Sequence, residues 1–267
     1  MNGMKIKLNP NYKEFRVGFM AFVYALVLLL VLASGMTGGY ADPDANGWSF
    51  WYMFTNQSNI LVCLWLICYG IGCFVDGRAK RIAENNTVIV AVTLYISITF
   101  FIVATVLEPF YSGHYDLLVS NTSFILHAAS TLVMWVYFFM VRGKGGLKYK
   151  NALLCLIYPF LFVMVNLVVG YNVKWAVGEY AGQQAFAYNF INPNSYGGNI
   201  LVFVIVIALL IGIFGSLGVL LIRFRKFLNK YYHLPKERDE QRAARTEGVD
   251  TRVDERQMTL EDVSNQK

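Results

Sequence analysis

Two side chains in separate apolar segments have the chemistry of a nucleophile and its base. Thr55 lies in the polar run Phe54–Asn59, directly after an aromatic stretch, and His127 lies within a long apolar segment. A threonine hydroxyl is scarcely ionised at neutral pH, so it attacks a carbonyl only when a nearby base accepts its proton. The two residues are therefore candidates for a nucleophile–base pair, with Thr55 as nucleophile and His127 as base.

Further polar residues are candidates for the remaining contacts of such a site. Residues three and four apart share one face of a helix, so Ser58 and Asn59 lie on the same face as Thr55. Small hydroxyl residues accompany the histidine at the same spacing: Ser120, Ser123, Ser130 and Thr131. The predicted substrate and oxyanion contacts are Ser58, Asn59, Gln57, Asn166 and Ser123.

Each of these residues also has a purely structural interpretation. Thr55 near a helix N-terminus can bond its own backbone, and a buried histidine can be an ordinary interhelical hydrogen-bonding residue. No Asp or Glu lies within an apolar segment, so a serine, an asparagine or a backbone carbonyl would have to orient His127. Catalysis requires the side chains of Thr55 and His127 to approach within about 3 to 4 Å.

Six apolar segments must position these residues, and each is long enough to cross a bilayer, which takes roughly 20 residues. They are residues 17–36, 54–74, 87–107, 117–141, 152–170 and 199–222. Because 56% of the 267 residues are hydrophobic, the bilayer is the expected solvent. The sequence thus predicts an all-α, polytopic membrane protein built as a bundle of six transmembrane helices.

Depth in the bilayer can be compared along the predicted helices. At a rise of 1.5 Å per residue, Thr55 and His127 both fall in the outer half of the bilayer, and Asn166 lies near the same level. The pair Tyr158–Pro159 lies deeper, at an expected kink. The loop Ala187–Gly198 mixes aromatic and turn residues and is predicted to cap an outward-facing pocket.

The basic residues predict the orientation, because Lys and Arg are retained on the cytoplasmic side during insertion. They cluster before the first segment, between the second and third, between the fourth and fifth, and after the sixth. The clusters are Lys5, Lys7, Lys13 and Arg16; Arg78, Lys80 and Arg81; Arg142, Lys144, Lys148 and Lys150; and Arg223, Arg225 and Lys226. Both termini are therefore predicted to be cytoplasmic in a multi-pass protein of the cell membrane. Residues 1–16 form a cytoplasmic segment, 17–222 the transmembrane domain, and 223–267 a basic juxtamembrane segment with a disordered tail.

Composition argues against several other functions. The net charge of +6 reflects topology and attraction to anionic lipid headgroups rather than nucleic-acid binding. The four cysteines lie in helices on different faces, and no histidine or carboxylate cluster lies in the membrane, so neither a metal nor another cofactor is expected. Polar residues of one outer loop are interpreted as solvated: Glu108, His114 and Asp116.

The order and spacing of several motifs resemble a known family. They are the Phe-Thr-Asn-Gln-Ser-Asn run at 54–59, His127, Tyr158-Pro159 with Gly170, and the stretch 187–193 followed by Tyr196-Gly197. Over roughly residues 17–222 the chain is similar to the androgen-induced and androgen-dependent membrane hydrolases and looks like a bacterial member. Animal members hydrolyse fatty acid esters of hydroxy fatty acids with an intramembrane threonine and a histidine. The resemblance implies those roles for Thr55 and His127.

Three functions remain open at the level of sequence. The first is an intramembrane hydrolase of fatty-acyl esters, with membrane lipids as neighbours and a lipid ester as substrate. The second is a non-enzymatic transporter or binding protein for lipids or small solutes, in which Thr55, Asn59, His127 and Asn166 recognise cargo. The third is an acyltransferase, which differs from a hydrolase only in whether water or an alcohol accepts the acyl group.

Overall fold

The computed structural model describes residues 12–36, 47–75, 77–107, 121–174 and 182–231. Within these ranges the chain is helical and forms no β-strand, which confirms the all-α prediction for the described residues. The helices are α1 Tyr12–Met36, α2 Gly47–Tyr52, α3 Phe54–Phe74, α4 Arg78–Ala83, α5 Asn86–Ile102, α6 Asn121–Phe124, α7 Ser130–Met140, α8 Lys150–Asn172 and α9 Ile200–Tyr231.

Five helices among the described residues are long and apolar enough to cross a membrane. They are Glu14–Met36, Phe54–Phe74, Asn86–Leu107, Lys150–Asn172 and Ile200–Tyr231. These lengths are compatible with a multi-pass membrane protein. In the fourth predicted segment the described part begins at Asn121, and its apolar helix, Ile125–Met140, is shorter. The count of six and the orientation of the termini stay predictions.

The chain divides into two compact units, Met1–Arg225 and Lys226–Lys267. In the second unit the described residues, 226–231, are helical, and the predicted disordered tail lies otherwise outside the described residues. The loop residues Glu108, His114 and Asp116 also lie outside them, as does Ser120. The proposed limits of the domains, after residues 16 and 222, stay predictions.

Asparagine side chains define where two of the long helices begin. Asn85 accepts hydrogen bonds from the backbone N–H groups two and three residues later, at 2.9 and 3.3 Å, and so caps α5. Asn199 caps α9 in the same way, at 3.1 and 3.3 Å. Such caps satisfy N–H groups that have no partner within the helix.

Helix α5 lies at the centre of the first unit. It packs against α3, α7 and α8, while α3 packs against α1. Three hydroxyl side chains of α5 are buried in apolar surroundings: Thr93, Ser97 and Thr99. Each donates to the carbonyl oxygen four residues earlier, so the polar groups are satisfied inside their own helix.

A π-helical turn, Ile125–Ala129, joins α6 to α7. The hydroxyl of Ser130 donates to the carbonyl of Ile125, five residues back, at 2.8 Å. The wider turn rotates the residues that follow it, so Ser130 meets Tyr24 of α1 and Thr131 bonds a carbonyl of α5. Ser130 therefore bonds away from the histidine, because regular spacing does not extend across a π turn, whereas Thr131 also donates to the His127 carbonyl at 2.8 Å.

Charged residues gather at the opposite end of the unit from Thr55. Lys80 pairs with Glu14 at 3.7 Å, and Lys144 pairs with Glu84 at 2.5 Å. Arg225, a member of the basic cluster predicted to be cytoplasmic, is fully buried. Its guanidinium donates to Asn86 Oδ1 at 3.0 Å and to the carbonyls of Phe138 and Val141, because the first residue of α5 and the end of α7 lie around it.

Candidate active site

The break between α2 and α3 sets the position of Thr55. Met53 is extended and Thr55 lies in the first turn of α3. Two side chains of that turn bond back to carbonyls of α2: Asn56 to Phe50 at 2.9 Å, and Gln57 to Trp51 at 2.6 Å. These bonds fix the corner, so the half-buried Thr55 is presented by a rigid helix start.

His127 lies in the middle of the π turn, and its ring bridges two helical segments. Its Nε2 lies 3.5 Å from Oγ1 of Thr55, which confirms the expected closeness of the two side chains. Its Nδ1 lies 2.9 Å from both the carbonyl oxygen and the hydroxyl of Ser123. A carbonyl oxygen can only accept, so this contact requires the proton on Nδ1 and leaves a lone pair on Nε2 facing Thr55.

Tyr188, which the sequence analysis did not single out as a site residue, is the third group at Thr55. Its phenol oxygen lies 3.5 Å from Thr55 Oγ1 and accepts a hydrogen bond from the Thr55 backbone N–H at 3.4 Å. Burial raises the pKa of Tyr188, while its hydrogen bonds with Thr55 act in the opposite direction. The phenol is therefore a neutral donor at physiological pH. Its only sequence signal was its place in the predicted capping loop.

The segment that carries Tyr188 is fastened to α8. Ala187 N–H donates to Asn166 Oδ1 at 3.1 Å, and the Phe186 ring lies over Gly170, where an added Cβ atom would come within 2.3 Å of it. The Tyr188 ring stacks on Phe190 with centroids 5.3 Å apart. The loop thus holds the phenol over the first turn of α3.

Ser58 and Asn59 do not point their donors at an incoming oxyanion. Ser58 donates to the Thr55 carbonyl at 2.9 Å and lies 2.7 Å from the Thr99 hydroxyl. Asn59 donates through Nδ2 to the carbonyls of Thr55 and Leu126, both at 2.8 Å. Both side chains are fully buried. The geometry therefore favours the structural interpretation of Ser58 and Asn59, in which they hold the fold together, over contact with an oxyanion.

Gln57 and Asn166 are likewise engaged in bonds that hold the fold together. Gln57 accepts from the Tyr158 hydroxyl at 2.5 Å in addition to its bond with α2. Asn166 is fully buried, and its Nδ2 donates to the Phe162 carbonyl at 3.0 Å while its Oδ1 holds the loop. Of the five predicted contact residues, Ser123 bonds the ring of His127, whereas Ser58 and Asn59 bond the backbone carbonyl of Thr55.

An apolar cavity of about 320 Å³ opens beside Thr55. Its wall is formed by α3, α5, α8, α9 and the Tyr188 loop, and Thr55, Thr99 and Tyr188 are the lining residues that carry hydroxyls. No charged side chain from the described part of the chain lines it. Ligand cavities commonly measure roughly 300 to 1,000 Å³, so the space accommodates a hydrocarbon chain with its polar end at Thr55.

The described residues do not assemble a recognisable metal site. No group of three or more His, Cys, Asp or Glu side chains comes together among them, and the four cysteines are free. Among the described residues, the cavity wall carries the hydroxyl of Thr55 and the phenol of Tyr188, and the imidazole of His127 lies beside Thr55.

Comparison with known proteins adds no identification. No family model, curated protein or solved structure matches the chain. The likeness to the androgen-induced and androgen-dependent membrane hydrolases stays a resemblance of motifs, and function must be argued from the geometry itself.

Proposed function

We propose that this protein is a membrane-embedded hydrolase of fatty-acyl esters, with Thr55 as nucleophile and His127 as general base. One observation carries the proposal: the Thr55 hydroxyl lies both 3.5 Å from His127 Nε2 and on the wall of an apolar cavity. A nucleophile, an oriented base and a hydrocarbon-sized space at one point match the requirements of lipid acyl transfer. An ester of a hydroxy fatty acid is a substrate of this class.

In the first half of the reaction, Thr55 Oγ1 attacks the ester carbonyl carbon and its proton passes to His127 Nε2. The Ser123 carbonyl, 2.9 Å from Nδ1, stabilises the imidazolium that forms, which is the task of the acid in a conventional triad. The tetrahedral intermediate collapses, the C–O bond to the alcohol breaks, and His127 returns the proton to the departing oxygen. An acyl-threonine remains.

In the second half, water attacks the acyl carbon and His127 Nε2 accepts its proton. Collapse breaks the bond to Thr55 Oγ1, which takes the proton back, and the free acid is released. An alcohol in place of water would make the same protein an acyltransferase. The chemistry of Thr55 and His127 is identical in both cases.

Tyr188 is the proposed oxyanion donor. The donors of Ser58 and Asn59 are committed to backbone carbonyls, whereas the Tyr188 phenol lines the cavity and lies 3.5 Å from the nucleophile oxygen. A carbonyl oxygen bound above Thr55 meets that phenol. Donors fixed before the reaction stabilise the developing charge without the cost of reorientation.

The proposed membrane arrangement is six transmembrane helices with both termini cytoplasmic and the active site towards the outer leaflet of the cell membrane. Two observations support it. The described part of the fourth segment, Asn121–Met140, is helical throughout when its π turn is included. Basic side chains of two predicted cytoplasmic connections, Lys80 and Lys144, lie at one end of the unit, and the Tyr188 loop lies at the other.

Covalent labelling with a lipophilic fluorophosphonate tests the proposal. The purified wild type should be labelled on Thr55, as shown by mass spectrometry of the adduct, and Thr55→Val and His127→Ala should lose labelling. Thr105→Val is the matched control, because Thr105 is exposed and bonds its own helix. A folded wild type that is not labelled would favour a non-enzymatic lipid-binding protein or transporter, since the cavity alone would serve that role.

A further inference from the structure

The cavity beside Thr55 is closed at its loop end. Tyr188, Phe190 and Ile191 line it there, and their loop is fastened to Asn166 and packed on Gly170. A ligand that arrived from the aqueous side would have to displace these contacts.

Helices α8 and α9 approach each other closely at the opposite end. An added Cβ atom at Gly215 would lie 3.4 Å from Leu156, and one at Gly218 would lie 3.7 Å from Ala152. Small residues let helix backbones meet closely in membranes. Nearer the loop, residues of both helices line the cavity, between 157 and 163 on α8 and between 207 and 214 on α9.

The cavity is open sideways between those helices. Four residues that line it are also substantially exposed on the outer surface: Leu153 at 69%, Ile157 and Phe160 at 51%, and Ile211 at 41%. A side chain that both lines a cavity and faces outward stands at its rim. In a bilayer, these rims face hydrocarbon rather than water.

We propose that an acyl chain enters this cavity laterally from the membrane, through the gap between α8 and α9. The chain lies along α8 from Val163 towards Leu153 and brings its ester carbonyl to Thr55. The inference rests on the proposed function for the fate of the ester, but the binding of the chain requires no catalysis. The wall of the cavity is apolar, and no charged side chain among the described residues lines it. Such a wall fits the neutral hydrocarbon of a membrane lipid.

The length of the cavity sets how much of the chain is held. Ten residues separate Leu153 from Val163, which is ~15 Å along a helix at 1.5 Å per residue. An extended chain with C–C bonds of about 1.5 Å advances ~1.3 Å per carbon, so roughly 12 carbons contact the protein. Longer chains extend back through the gap into the bilayer.

Photo-crosslinking in nanodiscs tests the entry route without relying on catalysis. The probe is a long-chain fatty-acyl ester with a diazirine near its methyl end, and the background is Thr55→Ala, which cannot turn it over. Leu153→Trp and Ile157→Trp at the rim should lower cavity crosslinking at least ~10-fold by filling the gap. Leu154→Trp and Leu161→Trp are matched controls, because both residues are more than half exposed on α8 but do not line the cavity; they should stay within about twofold.

The outcomes separate the two proposals. Equal crosslinking in rim and control variants, or adducts located away from α8 and α9, would overturn lateral entry even if the fluorophosphonate labels Thr55. Selective loss in the rim variants would support lateral entry even if no labelling occurs, and the hydrolase proposal alone would then fail.

Discussion

Asn59 donates a hydrogen bond of 2.8 Å to the carbonyl oxygen of Leu126, the residue immediately before His127. The same Nδ2 atom donates to the carbonyl oxygen of Thr55. One buried amide therefore joins the turn that carries Thr55 to the turn that carries His127. The 3.5 Å approach of Thr55 and His127 depends on this link between segments 67 residues apart.

Replacing Asn59 by leucine should impair positioning rather than substrate binding. The apolar side chain cannot donate, so two buried carbonyls lose a partner and the free energy of unfolding should fall by about 1 to 3 kcal/mol. We expect kcat for ester hydrolysis to fall at least ~10-fold with a small change in KM, since misplacement of a base affects chemistry first. Asn59→Ser should recover part of kcat if its hydroxyl reaches Leu126. A rise in KM with an unchanged kcat would contradict this positioning role.

Tyr188→Phe removes the proposed oxyanion donor while keeping the ring that stacks on Phe190. Loss of one such donor typically lowers kcat by about 10²- to 10³-fold, and we expect a loss in this range with little change in thermal stability. The measurement is steady-state hydrolysis of a fatty-acyl ester in nanodiscs. Tyr196→Phe is the control, because Tyr196 donates to the Phe190 carbonyl within the same loop and does not line the cavity.

The raised pKa of Tyr188 predicts the alkaline behaviour of the reaction. Burial raises this pKa above the ordinary value of 10.0, so the phenol keeps its proton, and its ability to donate, throughout the range below that value. Deprotonation of Tyr188 should therefore cause no loss of rate up to about pH 9.5. The rate of Thr55→Ala, measured in parallel, is subtracted to remove spontaneous ester hydrolysis. A Tyr188-dependent loss between pH 8 and 9, absent in Tyr188→Phe, would show a phenol of lower pKa.

Gly170→Ala should displace the loop that carries Tyr188. Its new Cβ atom would lie 2.3 Å from the Phe186 ring, so the ring and the attached backbone must shift. Overpacking of this kind costs about 1 to 3 kcal/mol, and we expect lower thermal stability together with reduced fluorophosphonate labelling of Thr55. Gly212→Ala is the matched control, since nothing lies within 4 Å of the added atom. Equal effects of the two substitutions would disprove the loop argument.

Arg225→Gln should destabilise the opposite end of the unit without touching the cavity. Its guanidinium bonds Asn86 and two main-chain carbonyls, and loss of these buried partners should lower the free energy of unfolding by about 2 to 4 kcal/mol. Arg223→Gln, at an exposed position two residues earlier, should change it by less than about 0.5 kcal/mol. Thermal unfolding in one detergent compares the two. Similar melting temperatures would mean that the buried bonds contribute little.

Several site residues follow from sequence because helix geometry is local. The run Phe54–Asn59 predicted a polar helix start, and Thr55 lies in the first turn of α3. The choice of Thr55 and His127 needed only their chemistry and similar depth, and their distance of 3.5 Å agrees with it. The apolar segments could also be predicted from the sequence, and five of them contain helices long enough to cross a membrane.

Other features depended on contacts that no local pattern encodes. The π turn at His127 changed the spacing expected for Ser130, whose hydroxyl bonds the carbonyl five residues earlier. The sequence could not show that Ser58 lies beside the Thr99 hydroxyl or that Asn59 donates to the Leu126 carbonyl, because both partners lie in other segments. The charge of Arg225 favours a position at the protein surface, yet the side chain is buried and donates to one amide and two carbonyl oxygens.

The sequence by itself predicted an all-helical, apolar chain and singled out Thr55 and His127 as the proposed nucleophile and base. Length, hydropathy and residue chemistry are properties of short segments, so they can be read along the chain. Only the tertiary structure decided that Tyr188 lies beside the Thr55 hydroxyl and that the Ser123 carbonyl lies beside His127 Nδ1. Those roles depend on which polar groups already have partners, and in a buried environment a donor that is bonded to a distant carbonyl is no longer available to a substrate.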